Sequence, residues 1–468
     1  MSAAGPHETI ERALELSRAD GTVVIVEERS SANLRWALNA LTTNGQTRGR
    51  QLTVIATVNG ATGVSVGVVS RSAATGDEVE AVVRAAEEAA RQSPTSDEAS
   101  PLVPGTAMPA SADFADAPAE TSSAVFGGFA PALGETFARA AREGRELFGF
   151  AEHEMVSSYL GTSSGLRLRH DQATGSLELN AKSDGRRRSS FVTVPVHDFS
   201  ALDLAALDSS LAARLAWGDR TVDLPPGRYE TLLPPSSVAD LLLYQHLTVD
   251  ARRTHEGRTV FSRPGGGTRA GERLTGLPMT LTSDPADAGM EAAPFVLTRS
   301  SADSFLASNS VFDNGLPLGR TEWIADGTLR TLTSSRHSAE LSGLPLAPVV
   351  DNLRLDAGGT ASLDELVATT ERGLLVTSLW YIREVDPKNL LLTGLTRDGV
   401  FLVEGGQVVG QVNNFRFNES PVEVIARASE ASATGLTRSR EWGRYFPRVA
   451  MPALRVPEFH MSSVSPGV

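Results

Sequence analysis

The sequence predicts an α+β protein, with an N-terminal mixed α/β domain followed by a β-rich, largely antiparallel and barrel-like C-terminal domain. Three observations carry this expectation. Amphipathic helical segments flank runs of β-branched residues in the first part of the chain. A second helix-and-strand block follows a stretch crowded with Pro, Ala, Ser and Thr. After Asp250 the chain reads mostly as short strands separated by Gly, Asp, Asn and Pro turns. The expected divisions are 1–92 (N-terminal α/β region), 93–128 (linker), 129–222 (a helix and strand meander completing the first domain) and 223–468 (the β-rich domain).

The elements follow in order. His7–Arg18 has the spacing of an amphipathic helix, with Ile10, Ala13 and Leu14 on one face, and stops at Asp20–Gly21. Val23–Glu27, Leu34–Leu38, Gln51–Val58 and Gly63–Val69 read as short strands. Asp77–Arg91 is a second helix, entered through Thr75–Gly76–Asp77. Ser93–Ser123 shows no periodicity, which suggests a flexible or loosely packed linker. A long helix is expected over Ala130–Phe148, then strands at Glu154–Leu160, Leu166–His170, Ser176–Lys182 and Ser189–Val194. Helices at Leu202–Leu215 and Ser237–Asp250 bracket the turn Pro225–Pro226–Gly227, a plausible domain boundary.

Composition narrows the function. With 468 residues and 41% hydrophobic content, the chain can bury a sizeable core. The net charge of −13 argues against direct nucleic-acid binding, which leaves a basic footprint. Arg186–Arg187–Arg188 is the densest basic spot and reads as a solvated strand or turn. No apolar run is long enough for a membrane helix, and the first residues lack the pattern of a secretory leader. Cys is absent, which removes disulfides, thiolate ligands and a Cys nucleophile together. The expected location is the cytoplasm.

Motifs for chemistry are sparse. Gly161–Thr162–Ser163–Ser164–Gly165 matches a nucleophile elbow with Ser163 as the nucleophile, but Leu166–His170 alternates like a second strand, so a hairpin turn fits better. Arg263–Thr268 is glycine-rich without the Lys-Ser/Thr of a phosphate loop, and reads as a mobile loop that could cover a ligand. None of the eight histidines has a partner four residues away with a neighbouring Glu. His246 and His255 would join one site only through a break after Asp250.

Several later stretches resemble the TldD/TldE (PmbA) family, once described as modulators of DNA gyrase and now regarded as metallopeptidase subunits. These are Leu224–Pro235, the helix from Ser237 with Glu256–Phe261 after it, Gly373–Thr377, Asp398–Gln407 and Met451–Val456. Their order and spacing carry the resemblance. In the catalytic TldD type the central helix bears His-Glu-x-x-x-His, with a Cys further on. Here the resemblance reads Leu243, Tyr244 and Leu247 as the degenerate motif positions, with no His or Glu among them, and His246 as one residue out of register with Leu247. Apolar side chains cannot ligate a divalent metal. The resemblance therefore implies a non-catalytic, TldE-like subunit with no cofactor of its own. Its TldD-like partner would hold zinc, and the heterodimer would process unfolded or modified peptides. Tyr244, His246, Thr377, Ser378, Trp380 and Tyr381 are the candidates for the substrate channel or subunit interface. Two alternatives stay open: a homodimeric peptide-binding or scaffold protein, and a partner-independent hydrolase using Ser163 or a His255/His337 constellation. No nucleic-acid or membrane partner is expected.

Overall fold

A computed structural model describes residues 4–73, 78–300 and 309–466. The fold is mixed α/β with a curled antiparallel half-barrel sheet. Its N-terminal half runs α1 (Pro6–Leu16), β1 (Gly21–Ala37), β2 (Ala40–Gly60), β3 (Gly63–Ser72), α2 (Val79–Gln92), α3 (Phe129–Arg142), β4 (Glu146–Thr162), β5 (Arg167–Ser183), β6 (Arg188–Pro195) and α4 (Leu204–Trp217). The six strands form one antiparallel sheet in the order β3-β2-β1-β4-β5-β6.

The strands are longer than the sequence suggested. The expected short strands Val23–Glu27 and Leu34–Leu38 are two ends of β1, and the polar stretch between them stays in register with β4. Alternation explains why the run looked broken. In β1, Val24, Val26, Ala32, Leu34 and Trp36 share one face and are buried under helices. On the other face Val23 and Ile25 pack on the C-terminal half, whereas Glu27 and Arg29 line an open cleft. The β1–β2 turn has no glycine signal, because Leu38 and Asn39 themselves adopt positive φ. The helix expected over Ala130–Phe148 ends at Arg142, since Gly144 turns the chain at φ 68° and Glu146–Phe148 already belong to β4. The expected helix entry Thr75–Gly76–Asp77 lies outside the described residues.

The segment 93–122 contains no helix or strand but is held against the sheet. Val103 is buried, Phe114 meets the Tyr159 ring edge-on, and the Thr121 amide donates to Ser30 Oγ at 2.8 Å. It is therefore packed structure where a flexible or loosely packed segment was expected. Arg186–Arg188 lies at the β5–β6 turn, with ion pairs from Arg187 to Asp184 and from Arg186 to Glu146.

The C-terminal half encloses α5 (Pro235–Thr248), every residue of which from Ser237 to Thr248 is buried. A helix buried on all sides needs neighbours all round. Gly227–Leu233, Arg372–Val376, Val400–Glu404 and Leu454–Val464 belong to a ten-stranded sheet on one side. Thr280–Ser283, Leu353–Asp356 and Val449–Met451 belong to a six-stranded sheet that contributes to the same core. The helix stops at Thr248 rather than Asp250, because Asp250 caps the next helix, Ala251–His255, accepting the Arg253 amide at 2.8 Å. The glycine-rich stretch 263–268 forms a turn in which Gly265, Gly266 and Gly267 all have positive φ.

Helix α2 lies so close to β3 that a Cβ on Gly67 would come within 2.2 Å of the Ala86 carbonyl oxygen and 2.3 Å of the Ala90 nitrogen. Gly67→Ala should therefore cost about 1–3 kcal/mol of stability through overpacking against a backbone that cannot yield locally. Urea denaturation of both proteins checks this, and an unchanged midpoint would mean that α2 lifts freely.

Candidate functional site

The central helix presents no metal-binding face. Leu243 is 0% exposed and Leu247 9%, both inside the main C-terminal core. Tyr244 is buried with its ring 5.4 Å edge-on from Trp442. The His246 imidazole stands edge-on to Trp323 and Phe446, at 5.0 and 5.8 Å. Burial pushes its pKa down to about 4, so it is neutral at ordinary pH. Among the described residues, no group of three or more His, Asp or Glu is placed to hold a metal. A zinc ion does not fit this helix: Leu243, Tyr244, Leu247 and Thr248 carry no imidazole or carboxylate, and His-Glu-x-x-x-His counted from Leu243 ends on Thr248 rather than Leu247.

The same helix carries the polar residue that organises its surroundings. Asp240 is fully buried and accepts from Ser439 Oγ at 2.5 Å and the Glu441 amide at 3.0 Å. Its backbone carbonyl takes the Trp442 indole N–H at 3.0 Å. The segment so anchored, Arg438–Trp442, reaches outward in several directions. Arg438 Nη1 donates to Glu178 Oε1 of β5 at 2.7 Å and to Thr193 Oγ1 of β6 at 3.0 Å. The Arg440 guanidinium stacks on Phe191 of β6 at 4.2 Å and Trp380 at 5.0 Å. It also donates to Ser378 Oγ and to Asp398 at 2.6 Å. Burial works against ionisation of Asp398, but the Arg440 charge and the hydrogen bonds from Ser189 and Arg440 hold its pKa below the usual carboxylate range. Glu441 accepts the Tyr381 amide at 3.0 Å and Arg383 Nη1 at 2.9 Å.

The candidate residues from sequence thus divide into two groups. Ser378, Trp380 and Tyr381 gather round Arg440 and Glu441, on or beside the edge strand Leu379–Asp386. Thr377 is buried just before them and donates its hydroxyl to Gly399 O at 3.0 Å. Tyr244 and His246 are enclosed in the core. Ser163 sits in the β4–β5 turn, where its Oγ accepts the Thr22 amide at 3.0 Å. Strand β5 follows this turn, not a helix, so the elbow geometry is missing.

A concave surface lies between the N-terminal sheet and the C-terminal half. Its larger chamber, about 420 Å³, has a floor of alternate residues of β1, β4 and β5, including Glu27, Glu152, Glu154, His170 and Gln172. Arg299, Asp351, Arg438, Arg444 and Arg448 form the opposite wall. Most of these charges are paired, Arg29 with Glu154, Arg299 with Glu27 and Arg438 with Glu178. Burial first, and then the neighbouring Glu154, raise the pKa of Glu152. A second chamber of about 210 Å³ opens beside it, and Gln172, Thr174, Pro447 and Arg448 line both. Sequence reasoning missed these cleft residues. The available signal was Glu152–Glu154–Val156–Ser158 and His170–Gln172–Thr174–Ser176, two runs whose alternate positions lie on the non-core face of their strands.

The architecture is a curled sheet wrapped round a buried helix, with a helix-backed sheet set against it across a charged cleft. The chain belongs to the PmbA/TldD family. The family's metallopeptidase C-terminal domain matches residues 226–463, and its domain 1 matches residues 22–92. Among solved structures, TldE from Thermococcus kodakarensis superimposes with a TM-score of 0.74 at 16% identity, covering 96% of this chain and 98% of that one. A candidate modulator of DNA gyrase from Bacteroides thetaiotaomicron gives 0.74 at 14% identity, covering 98% of each chain. A similar candidate from Thermotoga maritima gives 0.74 at 13%, covering 97% and 99%. No curated protein matches this chain. No helix among the described residues is long and apolar enough to cross a membrane.

Burial pushes the Asp240 pKa up to about 7. The fold therefore holds the proton, and the stability this supplies is complete below the ordinary carboxylate range and is lost as pH rises through about 7. Asp240→Asn keeps an oxygen for Ser439 and Glu441 but cannot ionise. Its stability relative to the natural chain should rise with pH between about 4 and 7, by at most about 1.4 kcal/mol per unit. Denaturation midpoints at pH 5 and 8 test this. A pH-independent difference would show that Asp240 ionises freely in the fold.

Proposed function

We propose that this chain is a non-catalytic, TldE-like subunit of a TldD/TldE-type heterodimeric zinc metallopeptidase. It completes the channel for unfolded or modified peptides and stabilises a TldD-like partner that carries the zinc. The observation that carries this reading is the central helix, whose buried Leu243, Tyr244, Leu247 and Thr248 offer neither imidazole nor carboxylate where the catalytic type bears His-Glu-x-x-x-His. The cleft supports the peptide part of the proposal. Its floor is a sheet face rich in hydrogen-bonding side chains, drawn from alternate residues of β1, β4 and β5. The divisions 1–92, 93–128, 129–222 and 223–468 are kept as part of this proposal, as is a cytoplasmic location.

Leu379–Asp386 closes one edge of the ten-stranded sheet, and exposed edges invite pairing with another chain. Tyr381 and Val385 are exposed on it, at 52% and 57%. We assign this edge, with Thr377 and Ser378 at its entrance, to the subunit interface or channel wall.

The purified chain alone should contain no stoichiometric zinc and cleave no peptide. Mixed with a TldD-type homologue, it should form a 1:1 complex that binds zinc and cleaves unfolded peptide. Zinc or peptidase activity in the lone chain would overturn the assignment. Trp380→Ala/Tyr381→Ala should weaken assembly or peptide binding roughly tenfold or more, in line with aromatic anchors elsewhere. Retention of both by the folded variant would remove this edge from the proposal.

A further inference from the structure

We propose that the smaller chamber of the cleft is a specificity pocket for one apolar side chain, of leucine to phenylalanine size, on a peptide lying in the larger chamber. This rests on the reading of the cleft as a peptide groove. Size argues first. At about 210 Å³ the chamber falls below the roughly 300–1,000 Å³ typical of sites that enclose a whole small molecule, but it accommodates a single large side chain.

Its walls argue next. Ala173, Pro195, Val196, Met290, Leu436 and Val449 supply an apolar lining. The lining also includes polar groups, and these have partners: Asp171 pairs with Arg169 at 2.8 Å, and Gln172 Nε2 donates to the Ala173 and Glu291 carbonyls. His197 Nε2 donates to the Gly289 carbonyl at 2.7 Å, and His153 Nδ1 is 2.8 Å from Thr121 Oγ1. Arg448 donates to Thr174 Oγ1 and to the Asp351 carbonyl, both at 3.1 Å. A polar occupant would give up its water without gaining partners, whereas an apolar one gains by leaving water.

The mouth fixes the direction of entry. Gln172, Thr174 and Arg448 are shared with the larger chamber, so the pocket opens sideways from the groove. In that groove the side chains of Glu152 and Arg444 form no hydrogen bond or ion pair among the described residues, though the Arg444 charge is near enough to act on Glu152. They offer an acceptor and a donor to the amides of an extended chain. Such a chain points alternate side chains to opposite sides, and one of them is directed through the shared mouth. The pocket is also built before anything enters it. The Val196 amide bonds Gly175 O at 2.9 Å, Asn352 Nδ2 holds the Met290 carbonyl at 2.7 Å, and Val449 lies in a strand.

Met290 is one of seven methionines, which allows a direct readout. The full chain, with 13C-methyl methionine and with Met290→Leu for assignment, is titrated with N-acetyl-phenylalaninamide and N-acetyl-glycinamide. The Met290 methyl resonance should shift and saturate with the first probe and stay still with the second. Leu436→Trp, at a half-exposed wall position, should abolish the shift. Fluorescein-labelled Gly/Ser/Thr decapeptides with one central Phe or Ala are then compared by polarisation. The Phe peptide should bind roughly tenfold tighter or more, as expected for burying one large apolar side chain, and Leu436→Trp should reduce the preference below about threefold. A motionless Met290 resonance overturns the pocket. Equal binding of both peptides also overturns it while leaving the groove standing. Failure of either peptide to bind, with Met290 still responding, overturns the groove and with it the pocket's role in peptide selection.

Discussion

The hydrogen bond between Asp240 and Ser439 is the joint on which the two halves of the molecule depend. It fixes a short segment against the central helix, and the side chains on either side of Ser439 then reach opposite parts of the fold. Arg438 grips β5 and β6, and Arg440 lies between an aromatic ring of the N-terminal sheet and one of the C-terminal edge strand. A guanidinium shielded in this way contributes about 1–2 kcal/mol per aromatic contact. The cleft wall that includes Arg438, Arg444 and Arg448 is therefore positioned by the core rather than by solvent-exposed turns.

Strand alternation divides the labour in the N-terminal sheet. One face buries α1 to α4 against β1, β2, β4 and β5. The opposite face is apolar only where Val23, Ile25 and Leu160 meet Phe295 and Phe312, and becomes charged further along the same strands. A strand that serves a core on one side and a cleft on the other must be polar at alternate positions without ending there. That is why β1 and β4, 17 residues each, carry Glu and Ser through their middles without losing register.

This also sets what was legible in the sequence. Fold class, the helices α1, α2 and α4 to within a few residues, and the turn at Gly161–Gly165 follow from period and breakers. Strand lengths did not, because a β-strand with one wet face looks like two short strands joined by a loop. The packing of 93–122 was hidden for a related reason. Its anchors, Val103, Phe114 and Thr121, are single residues spaced without periodicity and meaningful only against the sheet beneath them. Of the site, the absence of ligating side chains at Leu243 and Leu247 was plain in the sequence, and their burial follows from a helix enclosed on all sides. The gathering of Ser378, Trp380 and Tyr381 round Arg440 was foreshadowed by two adjacent aromatics, but Arg440 lies about sixty residues away along the chain and gave no local sign. The charged cleft draws on β1, β4, β5 and three later segments, and only tertiary structure brings them together.

The manner in which Asp240 ties down Arg438–Trp442 has a thermodynamic corollary for anything that enters the cleft. A wall already immobilised by buried bonds has little freedom left to lose, so occupancy carries almost none of the ordering penalty that loops incur when they close over a ligand. Affinity there would be set by the water displaced and by the ligand's own loss of disorder. A stiff or already extended chain would then outcompete a floppy one of equal composition, so the cleft discriminates by conformation before it discriminates by sequence.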